Sequence, residues 1–297
     1  MDRVLTCILN DKAGSNDAAE AKELIARAAD ARGWDARILL CSGGSDLHAL
    51  AQQARAAGGL VVAGGGDGTV AAVAAALVGT DVVLGVLPMG TLNHFAKDMG
   101  IPLALEKAVQ TLFTGRVARV DVGEVNGRVF LNNSSIGFYP RIVREREREQ
   151  REGYSKWRAF AQAAALIVRR SRTLHVELDD AHGRHQSYDT PFLFVGNNRY
   201  ALAGFEIGTR AALDGGKLWL CAPPYAGRFR LLALAAEALL GLVRDADLAA
   251  FESVETEVRL YRRHVLIATD GEVTAMQTPL RYRILPGALR VDVPAAQ

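Results

Sequence analysis

The stretch that most constrains the fold is LVVAGGGDGTVAAVAAALVG, residues 60–79. A short apolar run meets three consecutive glycines, and an alanine and valine pattern typical of a helix follows Thr69. A strand, a glycine turn and a helix in this order form a phosphate-binding unit, because bare backbone amides and a helix N-terminus attract anions. Asp67 in the middle of the turn does not fit this simple picture, since a carboxylate repels a phosphate.

Strands and helices alternate on both sides of this unit. The patterns predict strands at 3–10, 35–41 and 82–88, and helices at 16–33, 45–57 and 103–114. Such alternation predicts a parallel sheet that is covered by helices on both faces.

The pattern changes after Gly115. Short apolar strands now follow one another, separated by glycine and aspartate turns, and Val125-Asn126-Gly127-Arg128 is a hairpin signal. Two predicted helices, at 153–170 and 229–243, interrupt the strands. The second part of the chain is therefore predicted to be an antiparallel β domain.

Composition narrows the class of protein. The chain has 297 residues, enough for two domains, and 49% of them are hydrophobic and 23% charged. A net charge of +2 gives no reason to expect a nucleic-acid partner. The three cysteines lack metal-ligand spacing, which favours a reduced, cytoplasmic protein without disulfides. No signal peptide or membrane-spanning run is expected from the sequence.

Four interpretations of the glycine run compete. A P-loop would need Lys followed by Ser or Thr after the last glycine, and a dinucleotide site would need an acid near 84–88; both are missing. A tight turn needed only for packing explains neither Asp67 nor Thr69. The fourth interpretation places Mg²⁺ between Asp67 and the phosphates, as is usual in phosphoryl transfer.

A second loop supports the fourth interpretation. The segment LPMGTLNHFAKDMGIP, residues 87–102, follows the next predicted strand and should leave the sheet at the same carboxyl edge. Gly90 offers a bare amide, Thr91 a hydroxyl, and Asn93 a carboxamide that could hold phosphate or ribose.

Together these motifs resemble the diacylglycerol kinase catalytic-domain family, which includes bacterial lipid kinases and sphingosine kinases and is distantly similar to NAD kinases. The resemblance rests on GGGDGT and LPMGTLNHFAKDMGIP, and extends to LNDKAG (9–14), GNN (196–198) and TDGEVTAMQTPLRYRILPGALRVDVP (269–294). It implies ATP-dependent phosphorylation of a hydroxyl of diacylglycerol or a related lipid.

The resemblance also implies a two-domain α+β fold. A Rossmann-like α/β domain that binds ATP would comprise residues 1–120, with 286–297 returning to it. An antiparallel β-sandwich domain for the lipid substrate would comprise residues 121–285.

Site residues follow from the same resemblance. Glu272, in the DGE motif, would be the general base, and Asp67 would hold Mg²⁺ or orient the acceptor. Besides Asp67, the residues implied for ATP are Asn10, Gly64, Gly65, Gly66, Gly68, Thr69, Gly90, Thr91 and Asn93. Asp214 lies in a segment that often reads Asp-Asp-Gly in relatives and holds a structural magnesium there.

The chain departs from the family pattern at several positions. Gly215 replaces the second acid of that segment, which puts the structural metal site in doubt. Ala71 and Ala72 stand where relatives usually have Asn-Glu, and His94 where aspartate is common. Two alternatives to a lipid kinase therefore stay open: an NAD kinase-like small-molecule kinase, and an inactive regulator that binds nucleotide or lipid.

A lipid substrate requires contact with a membrane. Residues 141–172 carry ten Lys or Arg against four Glu, in a pattern that suits either an anionic membrane surface or a solvated helix. We expect ATP, a lipid substrate and peripheral contact with the inner face of the membrane, and the sequence is compatible with a homodimer.

Overall fold

A computed structural model describes the chain over most of its length. The described residues are 4–11, 15–42, 44–137, 173–180, 183–201, 210, 212–223, 227, 230, 233, 237 and 248–295. The chain divides into two compact units, the first made of Met1–Val122 with Pro286–Gln297 and the second of Gly123–Leu285.

The first unit alternates strands and helices. Its strands are β1 (Val4–Asn10), β2 (Asp35–Cys41), β3 (Leu60–Gly65) and β4 (Val83–Pro88), with the first residues of β5 (Arg116–Val125) and the last of β16 (Leu280–Val293). Its helices are α1 (Ser15–Asp30), α2 (Gly44–Ala57), α3 (Asp67–Leu77), α4 (His94–Asp98) and α5 (Leu105–Thr114).

The predicted parallel sheet is confirmed. Its strand order is β2-β1-β3-β4-β16, and each neighbouring pair is parallel. Every residue of β3 and β4 is buried, as expected for strands that are covered on both faces. Helix α1 packs with α5 and α2 with α3, and right-handed crossovers place these two pairs on opposite faces. The carboxyl ends of β1, β3 and β4 therefore meet at one edge.

The second unit is built from antiparallel strands. They are β6 (Arg128–Phe130), β7 (Asn133–Gly137), β8 (Leu174–Asp180), β9 (His185–Thr190), β10 (Phe192–Asn197), β11 (Leu218–Ala222), β12 (Ala249–Ser253), β13 (Glu255–Leu260), β14 (His264–Thr269) and β15 (Glu272–Gln277). One sheet has the order β12-β11-β10-β7-β14-β15. In the other, β16 is followed by β13, β8 and β9, while β5 pairs with both β16 and β6.

Both sheets of the second unit contribute to one apolar core, with Ile136, Leu193 and Leu220 from the first sheet and Leu178 and Tyr282 from the second. Two sheets that bury a shared core form a sandwich, so the predicted fold class is confirmed. The predicted hairpin is also present, with positive φ at Asn126 (47°) and Gly127 (83°) and with β5 paired to β6.

Other predictions are refined or fall outside the described residues. Helix α4 was not expected, because five residues are too few to give a periodic pattern. The basic segment 141–172 lies outside the described residues, as does most of the predicted helix 229–243, in which residues 230, 233 and 237 are helical. Among the helices that the structure describes, none is both long and apolar enough to cross a membrane.

Candidate active site

The glycine loop, residues 64–68, connects β3 to α3. Among the described residues, no side chain caps the N-terminus of α3. Gly66 is the N-cap residue, and the carbonyl oxygen of Gly66 accepts the first hydrogen bonds of the helix, from the amides of Thr69 (2.9 Å) and Val70 (3.1 Å). The amides of Asp67 and Gly68 precede these bonds and have no partner within the helix. They point out of a helix N-terminus, where the helix dipole adds positive potential. This end of α3 can therefore bind an anion.

The glycines of the loop are also needed for packing. A Cβ atom at Gly64 would overlap the side chain of Leu9, and one at Gly65 would lie 2.5 Å from the Thr69 hydroxyl oxygen. A Cβ atom at Gly90 would lie 2.5 Å from the Cα atom of Gly66. The packing interpretation of these glycines is therefore correct in part, and the two loops approach each other backbone to backbone.

Asn10 and Thr69 meet at the same edge of the sheet. The Nδ2 atom of Asn10, the last residue of β1, donates to the Thr69 hydroxyl at 3.0 Å. Thr69 is only 5% exposed. The bond joins the end of β1 to the first turn of α3, and the Thr69 hydroxyl hydrogen is left to donate to another acceptor.

Asp67 ties the two loops together. Its Oδ1 atom accepts a hydrogen bond from the amide of Phe95 in α4 at 3.3 Å, and among the described residues Oδ2 has no hydrogen-bond partner. Mg²⁺ is usually held by one or two carboxylates together with substrate phosphates. A half-buried carboxylate with one unengaged oxygen beside an anion-binding helix end fits that requirement.

The second loop is shaped by Asn93. Its Oδ1 atom accepts from the Gly90 amide at 3.0 Å, and its Nδ2 atom donates to the Gly90 carbonyl at 2.7 Å. Asn93 is buried and has a positive φ of 51°, which asparagine tolerates better than most residues. Its carboxamide thus holds the turn, while the Thr91 and His94 side chains are exposed.

In the second unit, Glu272 follows a tight turn between β14 and β15. Asp270 (φ 49°) and Gly271 (φ 89°) both have positive φ, as a two-residue hairpin turn requires. The Glu272 carboxylate is 62% exposed and is paired with Arg128 of β6 through Nη2 and Oε2, 2.5 Å apart. Arg128 was not singled out in the sequence, because the two residues lie 144 positions apart.

The carboxylate of Asp270 holds the backbone at the start of β7. It accepts hydrogen bonds from the amides of Leu131 (2.7 Å), Asn132 (2.8 Å) and Asn133 (3.2 Å). Burial raises the pKa of Asp270 above its ordinary value, while these three N–H donors and the charge of Arg210 act in the opposite direction. The first acid of the DGE motif therefore anchors the start of β7.

Arg210 completes this buried cluster. Only 5% exposed, it donates to the carbonyls of Leu131 (2.6 Å) and Asn197 (3.1 Å) and to Oδ1 of Asn132 (2.8 Å). Asn197, part of GNN, also donates to the Leu131 carbonyl at 2.8 Å. No sequence pattern marks Arg210 as different from the many surface arginines.

The metal role implied for Asp214 stays a prediction. Asp214 is exposed, and the described residues contain no group of three or more His, Cys, Asp or Glu placed to hold a metal ion. A Cβ atom at Gly215 would lie 2.8 Å from the buried Oδ1 of Asn198. A single exposed carboxylate is a poor donor set for a structural magnesium.

Comparisons with known proteins agree with the motifs. Residues 4–125 match the model of the diacylglycerol kinase catalytic domain, and 142–293 match that of the YegS C-terminal NAD kinase beta sandwich-like domain. A Pseudomonas fluorescens protein named "Probable lipid kinase YegS-like" is 32% identical, covering 99% of this chain and 96% of its own. One of the same name from Pseudomonas syringae pv. tomato is 34% identical over 89% of this chain and 86% of its own.

A solved structure supports the fold. A crystal structure of a diacylglycerol kinase from Bacillus anthracis superposes with a TM-score of 0.76 at 21% identity, covering 98% of this chain and 97% of that one. Both halves of the sequence thus match one family. The chain belongs to the YegS-like lipid kinases, with a diacylglycerol kinase catalytic domain in its N-terminal part and a YegS-type β-sandwich-like domain in its C-terminal part.

Proposed function

We propose that this protein transfers the γ-phosphoryl group of ATP to a hydroxyl of diacylglycerol or a related lipid. One observation carries the proposal: the N-terminus of α3 presents two amides that have no partner within the helix, and the half-buried Asp67 carboxylate lies beside them at the carboxyl edge of the sheet. Anion-binding amides combined with a carboxylate are what a magnesium–phosphate complex requires.

The ATP phosphates are assigned to the glycine loop. The amides of Asp67 and Gly68 bind phosphate oxygens, and the Thr69 hydroxyl, oriented by Asn10, donates one further hydrogen bond. The Gly90 and Thr91 loop faces the same edge. Mg²⁺, when bound by Asp67, neutralises charge on the phosphates.

Glu272 is assigned the role of general base. It accepts the proton of the lipid hydroxyl as the oxygen forms its bond to the γ-phosphorus, and the bond from that phosphorus to the bridging oxygen breaks to release ADP. Arg128 is a positioning residue, because its guanidinium fixes one oxygen of the Glu272 carboxylate.

Contact with an anionic membrane surface on the cytoplasmic side is part of the proposal. At the turn between β13 and β14, Tyr261 is fully exposed and is followed by the exposed Arg262, Arg263 and His264. An aromatic ring beside adjacent cations suits the interface of an anionic bilayer.

The test is transfer of label from γ-labelled ATP with Mg²⁺ to a total lipid extract in mixed micelles, with NAD⁺ and with buffer alone in parallel. Label in a chloroform-soluble product supports the proposal and identifies the lipid. Label in NADP⁺ favours the small-molecule kinase. ATP binding without any transfer indicates an inactive regulator, which the alanines at 71 and 72 would explain.

A further inference from the structure

A cavity of about 140 Å³ lies in the first unit, away from the glycine loop. It is lined by Trp34, Leu60, Leu112, Phe113, Val117 and Asp292, among others. Leu60 is the first residue of β3, so the cavity lies at the amino edge of the parallel sheet. The glycine loop follows the other end of the same strand, about 20 Å away.

Asp292 forms the polar part of this cavity. The residue is 7% exposed, and its Oδ2 atom is buried without a hydrogen-bond partner. The described residues provide no hydrogen bond and no ion pair to either oxygen. A buried carboxyl group is costly to leave unpaired, and native proteins rarely do so without a reason.

The surroundings of Asp292 include the negative end of a helix dipole. Helix α5 ends beside it, with Gly115 as the C-cap, and a Cβ atom at Gly115 would lie 2.5 Å from Oδ1 of Asp292. The carbonyl groups at a helix C-terminus are acceptors and carry the negative end of the helix dipole. The part of the cavity formed by Asp292 and the end of α5 can therefore bind a ligand group that carries hydrogen-bond donors and positive charge.

The walls are aromatic and apolar. The rings of Trp34 and Phe113 meet edge to face, with centroids 5.4 Å apart, and both residues are half-buried. Val117, which is 42% exposed, also lines the cavity. The exposed Arg32 packs over the Phe113 ring, 5.1 Å from its centroid, and donates to the Ala28 carbonyl. Asp292 is the only titratable group among the described residues that line the cavity.

We propose that this cavity binds a small organic ammonium ion whose body is apolar or aromatic. The carboxylate of Asp292 accepts hydrogen bonds from the ammonium group, and the walls formed by Trp34 and Phe113 cover the apolar body. Cavities of about 150 Å³ with apolar walls hold one benzene ring, so the ligand has about one ring.

The test uses benzylammonium as the probe and benzyl alcohol as its neutral counterpart, titrated calorimetrically into the full-length protein. We expect binding of benzylammonium in the millimolar range and at least about tenfold weaker binding of the alcohol. Asp292→Asn, which keeps the shape of the side chain, should weaken binding of benzylammonium about tenfold and leave that of the alcohol unchanged.

Asp81→Asn is the matched control, since Asp81 is exposed, pairs with Arg290 and does not line the cavity. It should bind both probes as the unmodified chain does. Burial raises the pKa of Asp292 to about 7, so binding of benzylammonium should tighten several-fold from pH 6 to pH 8 and not in Asp292→Asn. Equal affinity for the two probes, unchanged affinity in Asp292→Asn, or no binding at millimolar concentration would overturn the proposal.

Discussion

The guanidinium of Arg128 lies 2.5 Å from the carboxylate of Glu272. This contact joins β6 to β15, two strands that are far apart in the sequence. If Glu272 is the general base, removing its carboxylate should abolish transfer without weakening ATP binding. We expect Glu272→Gln to lower kcat by at least about 100-fold, the usual contribution of a general base, with an unchanged Kd for ATP. A fall in ATP affinity instead would mean that Glu272 contacts the nucleotide.

Arg128 should act through Glu272. We expect Arg128→Gln to lower kcat about tenfold, because a base that is free to rotate spends less time in the productive position. The change should have no further effect in the Glu272→Gln background, and this double-mutant comparison is the measurement. Equal effects in both backgrounds would show that Arg128 contributes independently of Glu272.

Asp67→Asn tests the metal role of the glycine loop. The substitution is isosteric, and its Oδ1 can still accept the Phe95 amide, so the free energy of unfolding should change little. Loss of the negative charge should remove most of the kinase activity and raise the Mg²⁺ concentration needed for what remains. Turnover close to that of the unmodified enzyme would contradict the role given to Asp67.

Thr69 should contribute to ATP binding through its hydroxyl. We expect Thr69→Val to raise the KM for ATP about tenfold, the effect of one lost hydrogen bond of about 1.4 kcal/mol. Thr69→Ser keeps the oxygen that accepts from Asn10 and should behave nearly as the unmodified enzyme. If valine and serine had the same effect, the hydroxyl would not be the group involved.

Asp270 and Glu272 are two positions apart, but substitutions at the two residues should have different effects on the free energy of unfolding. Asp270→Ala leaves three amides without their acceptor and removes a negative charge that acts on the buried Arg210, which should cost about 3 kcal/mol or more of unfolding free energy. Glu272→Gln, at an exposed side chain, should change it by no more than about 0.5 kcal/mol. Urea denaturation of both variants is the measurement that distinguishes the structural role of Asp270 from the proposed catalytic role of Glu272.

Stability should depend on pH through Asp292. Burial raises the pKa of Asp292 to about 7 in the native state, against an ordinary value near 4 in the unfolded chain. The native state therefore holds a proton that the unfolded chain has lost, and the stability contribution present below pH 4 declines as pH rises to 7. Relative to the unmodified chain, Asp292→Asn should gain about 2 kcal/mol between pH 5 and pH 8. Parallel pH profiles for the two proteins, from urea denaturation, would contradict this.

The parts of the fold that were predicted from sequence are those with strong local signals. The strands around the glycine loop are uninterrupted apolar runs, and Asn126-Gly127 can hardly adopt anything other than a hairpin turn. The family was confirmed for a similar reason, since each of its motifs is a short continuous stretch of sequence. The short helix α4, by contrast, has too few residues to show the hydrophobic periodicity from which a helix is predicted.

The side-chain contacts within the candidate site could not be predicted from the sequence. Arg128 with Glu272, and Arg210 with Asn132, join residues whose proximity is set by strand order and not by spacing along the chain. Asn93 illustrates a different limit: its residue type is equally suited to holding a ligand and to closing its own turn, so the two hydrogen bonds to Gly90 could not be predicted from the sequence. Asp292 lacks a partner among the residues that the structure describes, and this cannot be seen in a sequence that has the pattern of an ordinary alternating strand.

The return of β16 to the first unit has a consequence for biosynthesis. The residues that pair with Val83 and Leu84 of β4 are Arg290 and Val291, which the ribosome adds only after the whole of the second unit. Until they arrive, β4 presents an unpaired apolar edge of the kind that seeds aggregation. The first unit therefore cannot complete its sheet until the second unit has been synthesised, and a nascent chain truncated before residue 286 should depend on chaperones.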